Sequence, residues 1–190
     1  MLSAKDNRTR QCVIVENTLD FVEKLLHGLW PSLTPVSDAY PPATVLRVFL
    51  KNVIFRSQST HRTLLTACYY LVLFKSKHNE MQTSGPSNKT RAFQFLQSHE
   101  RIFLSAFILG WKFTQDYCYT TLQWASISGF SQKDINASEA YFLSTIDWRL
   151  YISRTEFEHW YSEVSYHVRN PNAALSGSLL YPERPCAVLI

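Results

Sequence analysis

The residue types that carry covalent and metal chemistry are present in this chain but never grouped. The four cysteines, Cys12, Cys68, Cys118 and Cys186, lie far apart. None forms a CxxC pair or takes a Cys/His ligand spacing, which argues against a zinc site. The six histidines, His27, His61, His78, His99, His159 and His167, are scattered. Glu156, Glu158 and His159 share one stretch without an HExxH pattern and read as surface. There is no phosphate loop, no GxSxG elbow and no kinase signature. The expectation is a protein without a catalytic centre, metal or cofactor. One charge stands out by its position. Residues 102–113 are uncharged until Lys112, so an ammonium, which only donates hydrogen bonds, ends a long apolar run. Pattern alone also allows Lys112 to be the solvated end of a buried helix, well placed against its dipole.

That run is too long for a typical buried strand and well short of the roughly 20 residues of a membrane span. A helix apolar all round belongs in the middle of a protein. Ser105, Ala106 and Gly110 would let neighbouring backbones approach, and the spacing predicts a central helix from about His99 to Gln115. Residues 1–16 read as a loose arm. Asn17 to Asp20 resembles a helix start, with Leu19, Val22, Leu26 and Leu29 as its stripe, and Pro31 stops it. A second helix, Ala43 to Phe55, turns Val45, Val48, Phe49 and Val53 inward. Ser59 or Thr60 caps a third, with Leu64, Ala67 or Cys68, Leu71 and Phe74 as its stripe. Residues 76–90 have loop composition, and Thr90 to Leu96 could begin the central helix early. After it come a helix over Thr120 to Ile127 ended by Gly129, and one that opens on a capping box, Ser131 to Asp134, and runs past Ile135 to near Trp148. A last amphipathic helix opens on the capping box Ser153 to Glu156, with Phe157, Trp160 or Tyr161, Val164 and Val168 on one face. Residues 170–190 read as an irregular tail. The fold class is all-α: five helices in a core bundle and one flanking helix on each side. The expected divisions are 1–42 (arm, helix and Pro-rich linker), 43–152 (the bundle) and 153–190 (last helix and tail).

With 190 residues, 46% of them hydrophobic and 18% charged, the chain can bury a sizeable core. The net charge of +4 is thinly spread without an Arg/Lys cluster, so neither nucleic acid nor a membrane is the expected partner. Separated cysteines and a polar Met1 to Arg10 fit a reducing, intracellular setting, nucleus or cytoplasm.

Three stretches carry a resemblance. Arg101 to Asp116, reading RIFLSAFILGWKFTQD, is similar to the third helix of a cyclin box. Leu122 to Gly129 (LQWASISG) resembles the fourth, and Ile135 to Ile152 (INASEAYFLSTIDWRLYI) the fifth. The Trp-Ala-x-Ile-Ser-Gly and Ile-Asp-Trp-Arg-Leu runs look most like the fungal PCL-type cyclins, single-box partners of a CDK5-like kinase. The match is specific over about 100–152 and faint over 17–77. The resemblance implies a five-helix cyclin box that binds a cyclin-dependent kinase through its third and fifth helices. Carried over by position, Lys112 and Glu139 would hold the backbone just before the kinase C-helix, the ammonium donating and the carboxylate accepting. Phe113, Leu143 and Trp148 fall where the family supplies apolar contact, although Phe113 and Trp148 could equally be core aromatics. Gln115 matches a position acidic in cell-cycle cyclins, and Trp124 reads as core. Two departures stand out. Val72 occupies a position that in many cyclins is polar and orders the first box helix, and Val45 to Leu50 lacks a clear substrate-docking motif.

The function implied is a regulatory subunit, not an enzyme, that activates such a kinase and helps direct its substrate choice, with kinase substrates as further partners. Two alternatives stay open. One is a cyclin-fold adaptor in a transcription or DNA-binding assembly; the other is a scaffold that holds a kinase without activating it.

Overall fold

The structure, a computed structural model, describes residues 4–33, 42–83 and 96–175. Among them are seven helices and no strand: α1 (Ala4–Leu29), α2 (Pro42–Ser57), α3 (His61–Thr83), α4 (His99–Thr114), α5 (Thr121–Ser128), α6 (Gln132–Thr145) and α7 (Arg154–Arg169). The all-α expectation holds. α4 is the axis. Ile102 through Trp111 are all buried, and α3, α6, α2 and α1 pack around it. A Cβ on Gly110 would sit 3.1 Å from the Thr63 carbonyl oxygen and 3.1 Å from the Ala67 nitrogen, so this glycine is where the α3 and α4 backbones meet. Aromatic rings fill the rest: Phe74 stacks on Phe142 at 4.4 Å, and Trp124 stands edge-on to Phe107 at 6.0 Å.

The caps are those the residue types demand. Ser98 accepts from the Arg101 N–H, and Ser153 closes the expected capping box with Glu156. At Ser131 the expected box is only a single cap from the Asp134 N–H, because an Asp side chain is a methylene shorter than the Glu or Gln of a box, and an unexpected box stands at Thr120 with Gln123. Each satisfies N–H groups that a first helical turn leaves free. Gly129 ends α5 at φ 79°, a left-handed conformation that costs glycine little.

Four further expectations need correction. Residues 4–16, read as a loose arm, are helical. No Gly or Pro interrupts residues 4–27, and extending a formed helix is cheap. Asn17 does not cap; its amide donates to the Val168 carbonyl at 3.0 Å, joining α1 to α7. Residues 76–83, read as loop, are the last turns of α3, since the nearest breakers are Gly85 and Pro86. Residues 84–95 lie outside the described structure, and α4 starts at His99 with no earlier turn joined to it. Val48, expected inward, is 53% exposed, whereas Leu46 and Leu50 are in the core. α2 is gripped by α1 on one side and α5 on the other, and that places positions 46, 50 and 53 inside.

Candidate functional site

Lys112 and Glu139 meet. Lys112 stands in the last turn of α4 and Glu139 in the middle of α6, and the ammonium donates to Glu139 Oε1. Burial is uneven: the Lys112 side chain is 42% exposed and that of Glu139 15%. Lys112 is therefore not merely a solvated helix end; it is the wet half of an ion pair whose other half is mostly covered. The sequence separation of 27 residues is closed by the packing of α4 on α6. A pair placed this way offers unused ammonium donors and carboxylate lone pairs along one edge, a match for the mixed donors and acceptors of a peptide backbone.

Leu143 follows Glu139 by one helical turn and is buried. Beyond it α6 ends in an unusual turn. Asp147 and Trp148 take φ values of 54° and 58°, left-handed backbone that is rare for a bulky residue. The turn is held from several sides. The Trp148 N–H donates to the Leu143 carbonyl at 3.0 Å, Lys77 on α3 lies 3.8 Å from the Asp147 carboxylate, and the Tyr70 hydroxyl donates to the Leu150 carbonyl at 2.6 Å. The result is a Trp148 that is 69% exposed, followed by an exposed Tyr151. Burial pushes the Tyr70 hydroxyl above the ordinary phenol range, so it remains a donor.

Phe113 is half-exposed and meets the Tyr70 ring edge-on at 6.5 Å; Tyr70 thereby joins Phe113 to the segment after α6. Gln115 is drawn elsewhere. Its amide donates to Thr63 Oγ1 at 2.8 Å and to Thr60 Oγ1 at 3.2 Å, binding the end of α4 to the start of α3. Trp124 is core, at 1% exposure.

Sequence reasoning missed a charged cluster that ties α1 to α2. Val72 is 1% exposed and apolar. Arg47, one helix earlier, is held by three carboxylates of α1: Glu16 at 2.6 Å, Asp20 at 2.5 Å and Glu23 at 3.0 Å. These bonds, Asp20 foremost, raise the guanidinium pKa further. The i, i+4 and i+7 spacing of the three acids was a readable signal once residues 4–29 are taken as one helix.

The model of the family described as Cyclin matches residues 37–150. The chain belongs to the cyclin family. Among curated cyclins, it is 29% identical over 143 residues to "G1/S-specific cyclin pas1" of Schizosaccharomyces pombe, covering 70% of this chain and 33% of that one. It is 31% identical over 112 residues to "PHO85 cyclin-5" of Saccharomyces cerevisiae, covering 59% and 46%. The resemblance to fungal PCL-type cyclins therefore stands. This cyclin spans between a third and a half of the length of those relatives. No solved structure gives a significant match. Among the described residues no helix is long and apolar enough to cross a membrane.

Proposed function

We propose that this cyclin is the regulatory subunit of a cyclin-dependent kinase of the PHO85 type, binding it through the α4–α6 face and activating it. In this reading residues 43–152 form the kinase-facing unit. Lys112 donates to, and Glu139 accepts from, the backbone just before the kinase C-helix. Docking presses that helix inward, so that its Glu reaches the strand Lys that holds the ATP phosphates. Leu143, Phe113 and Trp148 supply apolar contact, and Gln115 steadies the end of α4 through Thr60 and Thr63. The protein works inside the cell as a regulator, with substrates selected by the complex.

One observation carries the reading: the Lys112–Glu139 pair sits at a surface edge between the two helices, with a mostly covered carboxylate. Family membership and a relative named for PHO85 support it. Truncating one partner of such a contact leaves its counterpart desolvated and costs roughly 2–5 kcal/mol, at least about thirtyfold in affinity. The test is co-expression with a PHO85-type kinase, capture of the complex, and phosphate transfer to a Ser-Pro peptide, with Glu139→Lys as the control. Capture and activity in the wild type, both lost in a Glu139→Lys chain of unchanged helicity, are expected. Equal capture of both chains would refute the interface. Capture without activity would leave a scaffold in place of an activator.

A further inference from the structure

A cavity of about 430 Å³ opens between the start of α3, the end of α4 and the start of α7. Its volume lies in the range of ligand sites, about 300–1,000 Å³. Phe113, Ile152 and Phe157 give it apolar walls, and Arg62, Arg154 and Glu158 give it charge. We propose that it binds an acidic peptide segment of a protein partner, with a large apolar side chain seated among Phe113, Ile152 and Phe157 and flanking carboxylates held by Arg62 and Arg154.

The charge distribution supports this occupant. Arg62 lies over the Phe157 ring at 5.2 Å and has no acidic partner among the described residues. Arg154 is 90% exposed and holds Glu158 through Nε at 2.7 Å, which leaves its terminal amino groups for another carboxylate. Both arginines stand in the first turn of their helices, where the helix dipole disfavours a cation. The resulting positive potential is countered among the lining residues by Glu158 alone. An aromatic face beneath a guanidinium also suits an apolar residue beside a carboxylate.

The opposite wall decides between a peptide and a simple anion. α4 ends at the cavity with Phe113 and Thr114, and Glu158 lines it from α7. The Glu158 carboxylate would repel a compact phosphate ion, and a phosphate would leave the apolar walls of Phe113, Ile152 and Phe157 unused. A peptide gives Glu158 a backbone N–H and the apolar walls a side chain, while it gives carboxylates to the arginines. This binding needs no kinase, so it is separable from the reading above, although Phe113 borders both surfaces.

The test uses the full chain labelled with ¹⁵N, titrated with acetyl-Asp-Phe-Glu-Leu-Asp-amide to about 2 mM, high enough to detect a millimolar Kd. Saturable amide shifts at Thr66, Thr114 and residues 152–157 are expected, weakening with added salt. A peptide with Lys at each acidic position should leave them unmoved, and one with Gly for Phe and Leu should bind more weakly. The Arg62→Gln/Arg154→Gln chain should lose about tenfold or more in affinity. Glu139→Lys, which removes the proposed kinase contact, should retain the peptide shifts. No saturable shift, equal response to the basic peptide, unchanged affinity in the arginine variant, or loss in Glu139→Lys would each overturn the proposal.

Discussion

Arg47→Met should loosen α1 from the bundle. Methionine keeps an apolar stem over the same surface, so the change isolates the charge. Two contacts count: Asp20 at 2.5 Å and Glu23 at 3.0 Å. Glu16 is too solvated to be included. The Arg47 side chain is 31% exposed, Glu23 14% and Asp20 38%. That places the contacts between surface pairs, worth about 0–1 kcal/mol, and shielded charged hydrogen bonds, worth about 1.5–3. About 1 kcal/mol each gives ~2 kcal/mol in all, a fall of roughly 1 M in the urea midpoint for a slope near 2 kcal/mol/M. Urea unfolding followed by circular dichroism measures the loss. Hydrogen exchange over residues 15–29 should rise more than in α4, because local opening precedes global unfolding. The loss should shrink at about 1 M salt. Arg56→Met is the control: Arg56 is exposed and donates to the Ile127 carbonyl at 3.3 Å, so it should cost under ~0.5 kcal/mol. A loss below ~0.5 kcal/mol for Arg47→Met, or an equal loss in the control, would refute the idea that α1 orients α2 through this clamp.

Three further outcomes are expected. Gly110→Ala would put its Cβ 3.1 Å from backbone atoms of α3; overpacking there should cost roughly 1–3 kcal/mol, read as a lower thermal midpoint, and a neutral result would mean that the α3–α4 contact yields. Burial holds His61, His78 and His99 below the ordinary imidazole range. The unfolded chain therefore binds more protons, and stability should be complete above about pH 6.5 and fall as pH drops through the unfolded value towards the native ones. Urea midpoints across that window should decline, less steeply in His99→Gln, and a rise on acidification would contradict the burial. Burial also pushes the Cys68 thiol up to about 12, while Cys118 is exposed. Iodoacetamide followed by peptide mapping should label Cys118 in the native protein and Cys68 only after denaturation; native labelling of Cys68 would show that the core opens readily.

Local chemistry was legible wherever a residue needs only its neighbours in sequence. The apolar run ending at Lys112, the capping box at Ser153, the helix start at Ser131 and the left-handed stop at Gly129 all depend on a few adjacent positions, and the structure keeps them. Composition misled at 76–83, where polar residues carry no helix breaker before Gly85, and at Val48, where packing outweighed it. The polar residues 76–83 continue α3, with Lys77 reaching Glu80 and Asp147. Val48 faces solvent because neighbouring helices chose the other face of α2. The resemblance singled out Lys112 and Glu139 as two contacts to a partner; that they bind each other came only from the structure. No spacing rule links positions 27 apart on different helices, and the packing of α4 on α6 had to bring them together.

The sequence by itself determined that this chain would be a helical bundle around one buried axis, because helix periodicity, caps and breakers are properties of short segments. Only the tertiary structure decided that Arg47 looks to α1. It likewise turned Trp148 outward on a left-handed turn and left a charged cavity where α3, α4 and α7 meet. The physical reason is common to all three. Partner choice, strain and empty volume are set by how rigid helices fit together, and that fit sums over residues distant in the chain.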